Sequence, residues 1–425
     1  MPIYYKKVDQ KGTQNDLNLM EKGNRFSFGI RRKLSNNRSN KSFDGLELEK
    51  ITPKTGSTVN SPLINGESSR QNSSERFDNE LSGETEERII TKYGQILVCK
   101  QESNPKEGKP VIMTYHDIGL NHSSNFESFF SISENRMLLE SFVVYHVTAP
   151  GQEANAEDLP LNYTFPSMDE LAEQILDVCK YYKINEFIGF GFGAGANILS
   201  RFALNCPDMV EGLFLINPSA TVSTWSEWFY QKLNLRQLRN QQIIGDNVLP
   251  QSVQNYLIWH LFGDLNFPDR VTDQEAVDMY RKYFEGNYIN RHNLALFIES
   301  YVNRTALGIT REDATNNFKC NVLVLCGQNS PHIEESIKTN ERLNPSNSSW
   351  IKLSDAGMVL EEQPHKVAEV LRLFLQGLGY TLKAFDRKRA LMTGMSMPCL
   401  ASSRLSLYSG PSSGRRSTYA VIHEI

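Results

Sequence analysis

The stretch GFGFGAGAN, from Gly189 to Asn197, decides the fold of this chain. It ends a short apolar run that predicts a buried strand, and a helical period begins within it. Its glycine spacing matches the nucleophile elbow G-x-S-x-G, where a serine sits on a tight turn between strand and helix. The central position here holds Gly193. The elbow therefore predicts a backbone arranged for catalysis that lacks its nucleophile.

Glycines at this spacing also open dinucleotide-binding loops, which is the main alternative. Such a loop belongs to a first βαβ unit, with an acidic residue about 20 residues further on at the end of the next strand. The glycines from Gly191 to Gly195 instead follow a late strand, and no acidic residue ends a strand at that distance. The sequence favours the hydrolase elbow.

Short apolar runs on both sides of the elbow predict a mostly parallel, doubly wound sheet whose strands are covered on both faces. Two runs flanking Gly94 predict a β-hairpin, and strands then alternate with helical periods. The later predicted strands are VIMTY (111–115), FVVYHV (142–147), FIGFG (187–191), VEGLFLIN (210–217), NVLVLCG (321–327) and SSWIKLS (348–354). Together with the elbow, this alternation predicts an α/β-hydrolase fold.

The alternation divides the chain into regions. It stops between about 219 and 318, where aromatic-rich helical periods predict a helical cap inserted between strands, and it resumes until about Leu378. The flanking segments are polar, with too few apolar residues to form a core. We predict a core at 86–378 containing the cap, and disordered tails at 1–85 and 379–425.

The tails carry basic residues and serines. In the N-terminal tail, basic side chains interleave with aromatic ones, so it is either a solvated tail or a segment attracted to anionic lipid surfaces. The basic candidates for such contact are Lys22, Arg25, Arg31, Arg32, Lys33 and Arg38. Serines that follow basic residues are candidates for phosphorylation, namely Ser35, Ser406 and Ser417.

Composition restricts the functional class. No window approaches the ~18 apolar residues of a membrane span, and the N-terminus lacks an apolar signal segment. Six cysteines occur without a C-x-x-C pair, as in reduced intracellular proteins, and a net charge of -4 gives no drive toward nucleic acid. We expect a cytoplasmic protein, at most peripherally bound to membranes, with no cofactor, metal or nucleic-acid partner.

The other two groups of a Ser-His-Asp triad are also missing where hydrolases carry them. The loop before the last helix places Met358 at the histidine position, and a thioether cannot take a proton near neutral pH. The acid position after the run at 321–327 holds Ser330, and nearby His365 is expected at the surface. With Gly193, three separate segments lack the required group, so the sequence predicts no triad chemistry.

A set of pocket candidates remains around the elbow. They are His116, Asp117, Ile118, Phe192, Ala194 and Asn217. The amides of Ile118 and Ala194 would form an oxyanion hole, and Asp117, if it points inward, would repel a developing oxyanion. We expect His116 to be structural. The alternative left open is that His116 and Asp117 support a different acid–base reaction.

The quoted residues resemble the N-myc downstream-regulated (NDRG) family. The matching segments are TYHDIGLNHSSNFESFF (114–130), HVTAPGQEANA (146–156), FPSMDELAEQI (165–175), GFGAGANILSRFALNCPDMVEGLFLIN (191–217) and SWIKLSDAGMVLEEQP (349–364). The likeness covers roughly residues 86–378. It implies an α/β-hydrolase fold without hydrolase activity, a cytoplasmic location with occasional membrane association, and roles in signalling, stress response, differentiation and trafficking.

The chain departs from this family in three places. Gly327-Gln328 stands where family members commonly have Gly-Asp, the N-terminal extension lies outside the shared core, and the serine-rich C-terminal tail lacks clear decapeptide repeats. We therefore expect a non-enzymatic adaptor or signalling protein. The alternatives are a hydrolase-fold enzyme that uses His116 and Asp117, and a sensor that binds a small molecule or lipid.

Overall fold

The computed structural model describes residues 83–380, apart from positions 104, 106, 107, 241–247 and 267–272. The predicted disorder of the tails falls outside this range, except at 83–85 and 379–380. The six basic residues proposed for lipid contact and the three candidate phosphorylation sites also lie outside the described residues.

One sheet of eight strands runs in the order β1-β2-β4-β3-β5-β6-β7-β8. The hairpin β1–β2 and the pair β2–β4 are antiparallel, whereas all pairs from β4 onward are parallel. The strands are β1 (Glu84–Thr91), β2 (Gly94–Gln101), β3 (Val111–Tyr115), β4 (Val143–Thr148), β5 (Phe187–Phe192), β6 (Val210–Ile216), β7 (Asn321–Gly327) and β8 (Ser348–Leu353).

The apolar runs predicted all six later strands to within one residue at each end. Five of these strands are largely buried, whereas β8 has Leu353 as its one buried residue. Every residue of β4 and β5 is buried, as expected for strands covered on both faces. β1 begins earlier than the apolar pattern indicates, since it is an edge strand whose first residues are mostly exposed. A tail boundary at 85 would fall inside this strand.

The helices of the described residues occupy the segments between strands. They are α1 (Ser128–Ser131), α2 (Ser133–Ser141), α3 (Met168–Tyr182), α4 (Ala194–Asn205), α5 (Trp225–Leu238), α6 (Gln251–Phe262), α7 (Gln274–Glu285), α8 (Arg291–Val302), α9 (Ile333–Arg342), α10 (Val359–Glu362) and α11 (Pro364–Gly377). A π-helical turn at Ser123–Glu127 precedes α1. Helix α3 begins with a capping box formed by Ser167 and Glu170.

Helices α5 to α8 lie between β6 and β7, within the segment 219–318 that was predicted to form a cap. In helix α6, Val253, Leu257 and Phe262 are completely buried. The boundaries of the cap and of the whole core stay predictions, since no independent comparison tests them.

The elbow forms the tight turn that its glycines indicate. Gly193 has a φ of 52°, in the left-handed region that glycine adopts readily, and α4 starts at the next residue. A Cβ at Gly195 would lie 2.0 Å from the carbonyl oxygen of Tyr115, the last residue of β3. The glycines therefore allow α4 to approach the strand ends closely, and this places the first amide of α4 beside the loop that follows β3.

Candidate functional site

The carboxylate of Asp117 lies where an oxyanion would bind. Its Oδ1 accepts hydrogen bonds from the backbone N–H groups of Ile118 and Ala194, each at 2.8 Å. These are the two amides that the sequence indicates as the oxyanion hole. Asp117 points inward and is almost completely buried. A carboxylate oxygen of the protein itself therefore occupies the place that a hydrolase keeps for its reaction intermediate.

The same carboxylate fills the space of the missing nucleophile. A Cβ added at Gly193 would lie 2.1 Å from Cγ of Asp117 and 2.2 Å from each of its oxygens. No pair of non-bonded atoms tolerates such a distance, so a side chain at position 193 and the carboxylate of Asp117 exclude each other in this geometry. Glycine at the elbow and aspartate in the facing loop are thus two parts of one arrangement.

Helix α6 supplies the partner of this carboxylate. Nε2 of His260 lies 2.9 Å from Oδ2 of Asp117, and both side chains are buried. Because an ionised carboxylate only accepts hydrogen bonds, Nε2 of His260 carries the hydrogen. Burial alone would raise the pKa of Asp117, but the nearby His260, its hydrogen bond and the N–H of Ala194 lower that pKa below its usual value. The carboxylate therefore stays ionised at neutral pH.

A second histidine packs behind the first. Nε2 of His332 donates to the carbonyl oxygen of His260 at 3.1 Å, and the two imidazole rings meet edge to face with centroids 4.4 Å apart. Burial disfavours the charged form of His332 and lowers its pKa to about 4, with a further lowering from His260. His332 is therefore neutral at physiological pH.

The acid position, Ser330, makes no contact with a histidine side chain. Its hydroxyl donates to Oδ1 of Asn217 at 3.2 Å and accepts from the backbone N–H of His332, also at 3.2 Å. These bonds hold the loop after β7 against the end of β6. The position serves loop structure in this geometry.

The histidine position, Met358, is completely buried at the start of α10. The N–H groups of Gly357 and Met358 donate to the carboxylate of Glu362 at 2.6 and 2.9 Å. A Cβ at Gly357 would lie 2.1 Å from the carbonyl oxygen of Phe262, so this loop packs against the last turn of α6. The end of α6 thus touches the loops that carry Ser330 and Met358, and the loop that carries Asp117. His365 lies at the surface, as expected from the sequence.

His116 uses both ring nitrogens in the local structure. Nδ1 donates to the backbone oxygen of Asp117 at 2.8 Å, and Nε2 accepts from the N–H of Ala149 at 3.0 Å. These partners fix the neutral tautomer with hydrogen on Nδ1. Burial lowers the pKa of His116 to about 4. The lone pair of Nε2 already accepts the hydrogen bond from Ala149, so His116 cannot take a proton there without losing that bond.

The six pocket candidates are brought together, but they do not line an open pocket. Each is at most 3% exposed. The two surface grooves found within the described residues are lined by other side chains. In the same part of the chain, no group of three or more His, Cys, Asp or Glu side chains is placed to hold a metal ion.

Sequence reasoning missed His260 and His332. Both lie in segments whose apolar or loop character was recognised, but their role depends on partners far away in the chain. His260 is separated from Asp117 by 143 residues. The one available signal was a histidine near the end of an otherwise apolar helical stretch, YLIWHLFG at 256–263.

Comparison with known proteins decides the family. The model of the Ndr family matches residues 86–382, which is more than half of the chain. The chain belongs to the Ndr family.

Relatives from the frog Xenopus tropicalis give the same assignment over most of their length. Protein NDRG3 is 36% identical over 325 residues, covering 75% of this chain and 78% of that protein. Protein NDRG1 is 38% identical over 302 residues, covering 69% of this chain and 71% of that protein. Protein NDRG4 is 32% identical over 361 residues, with coverage of 83% and 85%.

Solved structures show that this Ndr-family chain has an α/β-hydrolase fold. A thermophilic esterase from Thermogutta terrifontis matches with a TM-score of 0.55 at 17% identity, covering 69% of this chain and 99% of the esterase. An enol-lactonase from Burkholderia xenovorans LB400 matches with a TM-score of 0.51 at 14% identity, covering 66% of this chain and 97% of the lactonase. Within the described residues, no helix has the length and apolarity needed to cross a bilayer.

Acid should destabilise this Ndr-family core partly through His332. Its folded pKa of about 4 lies below the value of about 6.5 for an unfolded histidine, so the unfolded state binds the proton first. The contribution of this pKa difference to the free energy of unfolding is present above about pH 6.5 and is lost as pH falls toward 4. Between pH 7.5 and 5.5 we expect His332 to contribute a loss of about 1 kcal/mol in the free energy of unfolding.

The measurement is urea unfolding of the full chain at both pH values, beside the variant His332→Gln. Glutamine retains a donor for the carbonyl of His260 but does not titrate. The pH-dependent loss should shrink by about 1 kcal/mol in the variant. Equal losses in both proteins would show that His332 is not held in its neutral form by the fold.

Proposed function

We propose that this chain is a non-enzymatic adaptor of the α/β-hydrolase fold that acts in cytoplasmic signalling. The roles implied by its family resemblance are signal transduction, stress response, differentiation and trafficking. The observation that supports the proposal most directly is the carboxylate of Asp117 between the amides of Ile118 and Ala194.

The position of the Asp117 carboxylate opposes acyl transfer at the step in which negative charge forms on the substrate oxygen. In active hydrolases the two amides stabilise negative charge that develops on the substrate, and loss of one such donor lowers kcat by about 10²–10³-fold. Here both amides already bind a charged oxygen. A substrate oxyanion would have to displace that oxygen and would meet its negative charge.

The alternative reaction through His116 and Asp117 has less support from the geometry. A general base needs a free lone pair within reach of the substrate proton. Both nitrogens of His116 are hydrogen-bonded, and Asp117 is bound to two amides and His260. Both side chains are also buried, so neither is accessible to a substrate in this structure.

Turnover measurements test the proposal. The purified full chain is incubated with p-nitrophenyl acetate, an aliphatic thioester and a p-nitroanilide, with an active hydrolase as positive control. We expect turnover far below about 1 per second, the lower end of typical enzyme rates. Turnover above that rate that disappears in His116→Ala or Asp117→Asn would overturn the adaptor function.

Mass spectrometry of small molecules released from the same preparation distinguishes a ligand-binding sensor from the proposed adaptor. The expected result is the absence of any compound that co-purifies in a reproducible stoichiometric amount. A tightly bound compound without turnover would replace the adaptor proposal with a ligand sensor. Localisation in the cytoplasm and contact of the basic N-terminal residues with anionic membranes remain parts of this proposal.

A further inference from the structure

Helix α5 exposes an aromatic face to solvent. We use this name for Trp225, Trp228, Phe229 and Leu233, which follow one another at i, i+3, i+4 and i+8 and therefore share one side of the helix. All four are exposed, Trp225 to 78%. The ring planes of Trp225 and Phe229 lie 6° from parallel, with centroids 5.7 Å apart.

The opposite side of this helix is partly polar, which reverses the usual pattern. A surface helix normally turns its apolar stripe toward the core and its polar residues outward. In α5 the buried side includes Gln231 and Asn234 beside leucines. Nε2 of Gln231 donates to the hydroxyl of Tyr256 at 2.8 Å, so this inward amide is satisfied. Contiguous exposed apolar surface of this kind marks interaction sites in soluble proteins.

Two grooves adjoin the aromatic face. The first has a volume of about 530 Å³, and its walls include Val222, Trp225, Trp228 and Val302. The second has a volume of about 410 Å³ and shares Asn303 and Arg304 with the first. Carboxylates border the second groove, at Asp169, Glu170 and Glu299. Asp169 already pairs with Arg201, and Glu299 pairs with Arg239. An extended segment of a partner would therefore pass from an aromatic wall to one that carries both carboxylates and arginines.

The charge of the core favours a basic partner. Residues 83–380 contain 24 Lys and Arg and 37 Asp and Glu, so their formal net charge is 24 − 37 = −13. A field of this sign accelerates the approach of positively charged partners and opposes acidic ones and anionic lipids. Lys232 of α5 and Arg239, which directly follows the helix, both pair with Glu299.

The aromatic rings themselves suit cations. Ring faces of tryptophan attract Lys and Arg, with a stabilisation of about 0.5–1 kcal/mol at exposed sites. The ammonium group of Lys232 already lies 5.8 Å from the ring centroid of Trp228. The exposed ring of Trp225 and the adjoining groove offer the same type of contact to another chain, together with apolar surface for the long stems of Arg and Lys.

We propose that the aromatic face of α5 and the two adjoining grooves bind an Arg/Lys-rich peptide segment of a protein partner. Its apolar side chains and cation stems lie on Trp225 and Trp228, and further cations lie beside Asp169 and Glu170. This proposal rests on the proposed adaptor function, because it names the class of partner that the adaptor would recruit.

Selection from a random peptide library tests the chemistry without prior choice of a partner. Phage that display random dodecapeptides are selected on the immobilised full chain and counter-selected on the double variant Trp225→Ala/Trp228→Ala. Both tryptophans are exposed, so the variant should fold, which circular dichroism checks. We expect enriched peptides to be basic, and a synthetic copy of the most enriched one to bind at least about tenfold more weakly to the double variant.

The matched control is Leu373→Ala, which removes an exposed apolar side chain of α11 that lines neither groove and should leave affinity unchanged. Raising the salt concentration from about 0.05 to 0.5 M should weaken binding, because screening shortens the range of the core's field. No enrichment, or enrichment of neutral or acidic peptides, overturns the proposal.

Two further measurements assign the face to another occupant if the proposal is wrong. Sedimentation with vesicles of phosphatidylcholine and phosphatidylserine would reveal lipid binding that depends on the two tryptophans. Analytical ultracentrifugation would reveal self-association that the double variant abolishes. Either result overturns peptide binding. If the chain shows no turnover and binds no peptide, only this inference is wrong. If the chain shows turnover and binds basic peptides, only the adaptor function is wrong.

Discussion

The variant Asp117→Ala should lose about 3–5 kcal/mol in the free energy of unfolding, because it removes one partner from a buried charged network. The carboxylate accepts from Ile118, Ala194 and His260, and each of these donors is left without its acceptor when the carboxylate is removed. The cavity is too small and too deep for solvent to replace three bonds with good geometry. The loss should therefore greatly exceed that of an ordinary surface substitution.

Urea unfolding followed by circular dichroism measures this loss. Asp117→Asn keeps the shape and one acceptor oxygen, so its expected loss is smaller, at about 1–3 kcal/mol. Asp208→Ala is the matched control, since its side chain is 96% exposed and lies 3.9 Å from Lys319, and it should change stability by no more than about 0.5 kcal/mol. If Asp117→Ala were no more destabilising than this control, the carboxylate would not be a structural element of the core.

The variant Gly193→Ala should be destabilised by about 3 kcal/mol or more. The new methyl group would lie 2.1 Å from Cγ of Asp117, so the carboxylate must leave its three donors. A double-mutant cycle isolates this cause. In an Asp117→Ala background the same glycine substitution should cost only about 1–2 kcal/mol, the remaining strain of a positive φ.

Additive losses in the cycle would contradict steric exclusion between positions 117 and 193. The related variant Gly193→Ser extends the test to chemistry. We expect no measurable hydrolysis of p-nitrophenyl acetate, since Met358 offers no base for the new hydroxyl group, even though the Asp117 carboxylate must move away from it. Release of p-nitrophenol above the rate of the parent chain would show that another group activates the serine.

The sequence predicted the sheet well because the strand signal is local. Strands such as β4 and β5 are buried along their whole length, so an uninterrupted apolar run is sufficient to identify them. The glycines of the elbow were equally informative, since close approach of helix and strand excludes side chains there. Edge strand β1 was recognised only in part, because its exposed half has no apolar pattern.

The candidate site was predictable only up to the loops that form it. The sequence placed Asp117 beside the amides of Ile118 and Ala194, but the direction of the carboxylate follows from its pairing with His260. That pairing joins a loop after β3 to a helix 143 residues later, and no local pattern encodes it. Helix α5 shows a similar limit, because its period indicated a helix but not which side faces the core.

The filled oxyanion hole also bears on how this protein can evolve. A return to hydrolysis would need a nucleophile at position 193, a base in place of Met358 and the removal of the Asp117 carboxylate. Taken singly, two of these changes should unfold part of the population, and the third should give no benefit by itself. Because proteins tolerate only a few kcal/mol of lost stability, each first step would be selected against before the next arose. Under the proposed adaptor function, loss of stability would therefore oppose Ser-His-Asp chemistry at this site as much as the residues at positions 193, 330 and 358 do.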